Sequence, residues 1–402
     1  MSRKIVLSYK LPAALFWLLT LFCYFFQVPY RQLASFITVF LFLFIISESG
    51  NLIINRGKSF AKIFLVYVIF LGISSMLSMV RGTDIQSVLR FLIILLLLPI
   101  TTWIKDRDFT FEEHSFIFLA ICKSIYIIYL ALQVATTHDY MTLRTWARTN
   151  GMGDIYPNFS LPFFYPKVQL QGNALILVAF FLLNSTNNRK KPLKVIENII
   201  FIIALLTAGN FAFILGATLF VSYKLIRYLA LGRNGLVRLF SIVAVLIVAV
   251  LMIYVSNQEL IFKSGYSNAV RAQQAKMLLD TNPLWGNGVG FRVTSSELGV
   301  RNYSVASDYY ELQTLYIYNQ IGFFGLILFM ILTFMEIIPT EKYATTLYIL
   351  YLVYSFWNPY CFDTTHMITI ILLQNCIFYE KAQPPIQTSE MGYEYHDNLQ
   401  KC

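Results

Sequence analysis

The sequence predicts an all-α integral membrane protein: a polytopic bundle of about 12 transmembrane helices with a large loop outside the cytoplasm. Composition is the first observation behind this. The 402 residues are 57% hydrophobic and only 13% charged, where a soluble domain carries about 25% charged residues. The second is segment length. Apolar runs of roughly 17–25 residues recur along the chain, each long enough to cross a bilayer. The third is period, since the runs do not alternate within segments of about 10 residues as the strands of a membrane barrel would. The formal net charge is +10. Most basic residues flank apolar runs, so this excess reads as membrane topology and not as a nucleic-acid surface.

The spans follow in order. Met1-Ser2-Arg3-Lys4 and the apolar stretch after it resemble a signal peptide, but Cys23-Tyr24-Phe25-Phe26 offers no small-residue cleavage site. Leu11–Val28 is therefore expected to be an uncleaved first span. Leu33–Ser47, Ile63–Met79, Phe91–Ile104, Ser115–Ala135 and Gln169–Asn184 come next. The long run Val195–Tyr223 is interrupted by Thr207-Ala208-Gly209-Asn210. Two helices there place most Lys and Arg in short inner loops, whereas one helix removes the bias, so the run is read as two helices with both termini cytoplasmic. Leu236–Val255, Tyr310–Phe334, Tyr343–Tyr360 and Met367–Tyr379 complete the set. Residues 1–380 form the bundle on this reading, with outer loops at 136–168 and 257–309. The polar segment 381–402, which contains Pro384-Pro385, is expected to be a disordered cytoplasmic tail. Of the cysteines, Cys23, Cys122, Cys361 and Cys376 lie in or beside spans and Cys402 ends the chain, which is no disulfide framework.

The second outer loop holds the most informative stretch, Asp280-Thr281-Asn282-Pro283-Leu284-Trp285-Gly286-Asn287-Gly288-Val289-Gly290-Phe291. Asn268 is placed to cap a short helix through Arg271, Gln274, Lys276 and Leu279. The residue before Pro283 is pushed out of the helical region, which stops that helix. Trp285 is an interface-seeking side chain. Gly286, Gly288 and Gly290 permit positive φ and close backbone approach. The plain reading is a tight turn returning the chain to the bundle; the functional one is a backbone segment that curls against a ligand. The glycines follow no strand, so they are not a dinucleotide fingerprint.

Arg271, the short helix, "NPLWGNGVGF" and then "DYYELQTLYIYNQIGFFG" together resemble the O-antigen ligase and O-antigen polymerase superfamily. The motif covers roughly 269–328, with Gly322 and Gly325 supplying its Gly-x-x-Gly, and the topology match covers the whole chain. Ligase-like members tend to carry a His just before that span, where this chain has Ser307-Asp308-Tyr309-Tyr310-Glu311. That departure favours a polymerase. Many members have a Ser-Arg pair in the broken helix, where this chain has Gly209-Asn210.

The resemblance implies a glycosyltransferase of surface polysaccharide, such as lipopolysaccharide O-antigen, in a bacterial inner membrane. Its substrates would be undecaprenyl-diphosphate-linked glycans, one as donor and one as acceptor. It requires membrane lipid, no cofactor and no nucleic acid, and it admits a chain-length regulator protein as a partner. Such a transfer needs cations for a diphosphate and a base for a hydroxyl. The outer basic residues are Arg31, Arg81, Arg90, Arg144, Arg148, Lys167, Lys263, Arg271, Lys276, Arg292 and Arg301. Arginine grips phosphate through a planar fork of donors. Arg271 fits the motif and is the first catalytic candidate. Arg81, Arg90, Arg144, Arg148, Lys167 and Arg292 are candidates for substrate binding, with Gly286, Gly288 and His138. Arg144 and Arg148 share a face if their stretch is helical. Glu311 is the candidate base; His138 and His366 are alternatives at span ends. No pair of histidines has metal-ligand spacing and the outer loops hold no Asp-x-Asp, so a metal-independent reaction is expected, with arginines in the role of a divalent cation. Aromatic residues such as Trp146, Tyr156, Phe159, Phe163, Phe164, Tyr165 and Trp285 can stack on sugars or form an interfacial belt. Lys123, inside the fifth span, marks either a pathway through the bundle or a snorkelling side chain. The competing functions are a ligase acting on a lipid A-core acceptor and a flippase of lipid-linked sugars.

Overall fold

The computed structural model describes residues 15, 17–26, 58–101, 110–158, 165–186, 190–231, 242–243, 266–295, 299, 302, 310–337, 342–356, 358 and 360–375. The expected spans Leu33–Ser47 and Leu236–Val255, the tail, and Arg31, Lys263, Arg301, Phe159, Phe163 and Phe164 lie outside them, save 242–243.

The described chain is mostly helical. Its helices are α1 (Trp17–Phe26), α2 (Lys58–Val80), α3 (Ile85–Thr101), α4 (Thr110–Thr137), α5 (Tyr140–Thr149), α6 (Asn173–Ser185), α7 (Lys191–Ala208), α8 (Phe211–Leu231), α9 (Tyr266–Leu279), α10 (Gln313–Ile337), α11 (Lys342–Ser355) and α12 (Thr364–Asn375). Three of them, at Ser59–Val80, Phe111–Thr137 and Gln313–Met335, are long and apolar enough to cross a membrane. On α2 the apolar side chains Leu65, Val66, Ile69, Ile73 and Met76 are exposed. A helix apolar on its outward face suits lipid as its solvent.

α6 and α12 form the centre. Ala174–Leu183 and Thr365–Asn375 are buried on every side, as expected of helices without a polar face. α4, α7 and α8 pack on α6, α3 and α11 pack on α12, and α2 lies on α10.

The connections sort into two ends. At the first, the hydroxyl of Tyr24 meets that of Thr364. Asn210 Nδ2 donates to Asn358 Oδ1 (3.3 Å), and Thr314 Oγ1 to the carbonyl of Phe356 (3.0 Å). At the second, Trp17 Nε1 donates to the carbonyl of Glu112 (3.3 Å), and Ser185 Oγ to Tyr343 OH (3.1 Å). The first end carries the segments predicted to be outer loops, so we call it the loop end. The second carries Lys190, Lys191, Lys194, Lys224 and Arg227, and we call it the basic end.

Among the described residues the structure departs from the expected all-α fold in one place. Gly153–Asn158 (β1) pairs antiparallel with Tyr165–Leu170 (β2), with Tyr156 opposite Lys167. The expected span Gln169–Asn184 therefore starts late: Gln169 and Leu170 belong to β2, and α6 begins at Asn173 after Gly172. An apolar run does not distinguish a buried strand from the helix that follows it. Span boundaries shift by several residues elsewhere too, as at Ile63, Phe91 and Ser115, where helices begin at Lys58, Ile85 and Thr110, and two shifts fall at the second outer loop. Asn268 lies inside α9, which starts at Tyr266, and the span expected from Tyr310 starts at Gln313. The interruption at Gly209 does divide the long run into α7 and α8. Gly209 ends α7 in the left-handed region, at φ 60° and ψ 24°.

Candidate functional site

The glycine stretch of the second loop docks into a broken helix. α10 is interrupted at Gly322, whose φ of 63° and ψ of −173° are not helical. That conformation is open to glycine almost alone. The break frees backbone groups that the loop then satisfies. The N–H of Phe323 donates to the carbonyl of Pro283 (2.9 Å) and that of Phe324 to Leu284 (3.1 Å). In return Asn287 N donates to the carbonyl of Asn319 (2.7 Å) and Gly288 N to Gln320 (2.8 Å). Gln320 Oε1 accepts from Gly290 N at 3.0 Å. A Cβ at Gly286 would stand 2.4 Å from the carbonyl oxygen of Gln320, and one at Gly288 2.6 Å from Cβ of Ser78. Both glycines are buried, and what they approach is protein backbone and α2. Trp285 is exposed and packs against Phe70 and Phe324, with ring centroids 6.0 and 5.5 Å away.

This docking carries two arginines. Arg81, in the turn after α2, donates from Nη1 to the carbonyl of Asn287 (2.9 Å) and to its Oδ1 (3.1 Å). Arg292 Nη1 lies 3.3 Å from Asp84 Oδ2. Hydrogen bonds from the backbone and hydroxyl of Ser87 hold the Asp84 carboxyl below the usual range, and Arg292 adds to this. Arg90 is exposed, with its guanidinium 5.9 Å from the Phe91 ring.

Arg271 and Glu311, distant in sequence, meet. Arg271 Nε lies 3.4 Å from Glu311 Oε2, and the two side chains are 39% and 22% exposed. α9 makes this meeting by packing along α10. Val270, Gln274 and Leu278 form its buried stripe at four-residue spacing, and Arg271 stands beside it. Gln274 is wholly buried; its Oε1 accepts from the N–H groups of Glu311 (3.1 Å) and Leu312 (3.3 Å). One helix thus holds both the carboxylate and the backbone of Glu311. Gln274 was missed in the sequence, because a lone Gln on a short helix carries no motif.

The other candidates sit elsewhere at the loop end. Arg144 and Arg148 do share a face of α5, and both engage Asp154. Arg144 Nε lies 2.9 Å from Oδ1, and Arg148 Nη2 lies 2.5 Å from Oδ2. Partial burial alone would raise the Asp154 carboxyl, but the bonds and charges of Arg148 and Arg144 outweigh it and hold it below its usual range. His138 forms the turn between α4 and α5, with φ 55°. Lys167 is 2% exposed, and its stem fills the space beside Gly209, where a Cβ would be 2.5 Å from its Cγ. His366 is not at an open span end. It is fully buried in α12, its Nε2 3.0 Å from Tyr348 OH and its Nδ1 2.6 Å from the carbonyl of Cys361. Lys123 is 1% exposed and faces the interior of the bundle, 5.8 Å from the Tyr126 ring.

Among the described residues no three His, Cys, Asp or Glu side chains converge as metal ligands would. No family model matches the chain, and neither a curated protein nor a solved structure matches it.

Proposed function

We propose that this chain polymerises undecaprenyl-diphosphate-linked oligosaccharide repeat units, for O-antigen or a similar surface polysaccharide, at the periplasmic face of the inner membrane. The observation that carries the reading is the Arg271–Glu311 pair at 3.4 Å, beside the glycine loop and the head of α10. An acceptor hydroxyl attacks the anomeric carbon of the donor glycan. The bond from that carbon to the diphosphate oxygen breaks, undecaprenyl diphosphate leaves, and Glu311 takes the hydroxyl proton. The pairing also gives an order of events. While Arg271 lies against Glu311, the guanidinium occupies the carboxylate. A dianionic diphosphate competes for the guanidinium fork and so frees the carboxylate oxygen for the acceptor hydroxyl when the donor is bound. Arg81, in the turn after α2, and Arg292, at the end of the glycine loop that faces it, add positive charge for the leaving group.

A transporter is the second reading, favoured by the two interrupted helices at Gly209 and Gly322. Both interruptions are filled by protein, by the Lys167 stem and by the loop from Pro283. An enzyme working on one face accounts better for them than a path through the bundle.

Deletion of the gene and gel separation of lipopolysaccharide test the proposal. Core carrying a single repeat unit, with the ladder gone, is the expected result. Bare core with long glycan on the lipid carrier would make the chain a ligase. An unchanged ladder would overturn both for this polymer.

A further inference from the structure

The basic end of the bundle is built around three consecutive residues at the end of α6. Lys224 Nζ donates to the carbonyl of Asn184 at 2.8 Å. Lys194 Nζ donates to the carbonyl of Thr186 at 3.3 Å. Between them, Ser185 Oγ bonds to Tyr343 OH at 3.1 Å. The same Tyr343 ring lies 4.6 Å from Lys224 Nζ and 5.3 Å from the guanidinium carbon of Arg227. Two ammonium ions from α7 and α8 and a guanidinium from α8 thus gather on one helix end.

Helix capping does not account for this much charge. The carbonyl end of a helix offers about half a negative charge. Glu197 lies close enough to Lys194 to act on its charge, but like charges still crowd at Lys224, which feels both Lys194 and Arg227. Each ammonium has three donors, and Lys194 and Lys224 each spend one on a carbonyl. Exposed Leu193 and Ile226 stand in sequence beside Lys194 and between Lys224 and Arg227. Cations bordered by exposed apolar side chains, where apolar helices end, match a phosphate carried on an acyl chain. Basic pockets between spans at this level hold anionic headgroups.

We propose that Lys194, Lys224 and Arg227 form a binding site for the phosphate of an anionic membrane lipid, at the end opposite the glycine loop. The site does not depend on the reaction proposed above.

The test uses the full chain, purified and delipidated in a neutral detergent. Retained lipid is counted by native mass spectrometry while phosphatidylglycerol, cardiolipin or phosphatidylcholine is titrated in. Saturable retention of the two anionic lipids, and not of phosphatidylcholine, is expected. Replacing both lysines, K194Q with K224Q, is expected to weaken it about thirtyfold, since each cation near a headgroup contributes about a fivefold factor. The single variant K224R keeps the cation and should retain binding, which separates loss of the site from loss of the fold. Equal retention of phosphatidylcholine, or unchanged binding by the double variant, would overturn the proposal. Displacement of lipid by millimolar inorganic phosphate would overturn the lipid source and make this a site for free phosphate.

Discussion

At the scale of single residues, the site turns on what Glu311 can do and who holds it. Under the proposed reaction E311Q keeps the shape of the side chain and the backbone bonds to Gln274, but cannot accept a proton. General-base removal costs about 10²- to 10⁴-fold, so an E311Q gene returned to the deletion strain should leave core with one repeat unit while the protein accumulates normally. R271K preserves charge but not the fork, and should shorten the ladder without abolishing it. A full ladder from E311Q would remove Glu311 from the chemistry. The sequence pointed to Arg271 and Glu311 separately, through one motif and one position at a span start. That they touch was not legible, because contact between residues 40 apart depends on how α9 lies along α10.

At the scale of elements, the helix break and the hairpin each make a prediction. Gly322 has a positive φ of 63° within α10, and a Cβ there would stand 2.4 Å from the carbonyl oxygen of Leu284. Backbone strain of this kind costs about 1–3 kcal/mol, before the clash is relieved. G322A should therefore lower the melting temperature in detergent and speed hydrogen exchange at Phe323 and Phe324, whose N–H groups the loop captures. Unchanged exchange there would mean that the loop does not hold the break. The hairpin is tied to α5 through Asp154. Its carboxyl is held below its usual range, so the tie is fully present above about pH 4, the unfolded value. It is lost as pH falls through the lower folded value. Hydrogen exchange in β1 should accelerate in that acid window, and D154N should show the faster exchange at neutral pH already. For partly exposed pairs the loss is about 1 kcal/mol at most. Helices were legible here because apolar length is a strong signal. The hairpin was not, since six-residue strands beside a span merge into its hydropathy, and Asp154 gains its role only when β1 brings it under α5.

At the scale of the whole molecule, the two ends of the bundle test the reading of the membrane. Alternating helices bring the turn at 81–84, the hairpin, the Gly209 break and the glycine loop to one end, and Lys194, Lys224 and Arg227 to the other. Under the proposed reaction the positive-inside rule predicts one orientation, with the basic end cytoplasmic. That expectation rests on charge placed in short loops, which the sequence displays directly, and it needs no knowledge of packing. Single cysteines at Thr83, Asn150 and Lys190, in a chain whose own cysteines have been replaced, would check it. In intact cells with a permeable outer membrane, an impermeant maleimide should label positions 83 and 150 and leave 190 unlabelled until the inner membrane is opened. The reverse pattern would place the Arg271–Glu311 pair in the cytoplasm. Lipid-linked repeat units polymerised outside could then not reach it, and the proposed reaction would fall with the orientation. Labelling at both ends in intact cells would mean that the bundle does not separate two compartments at all.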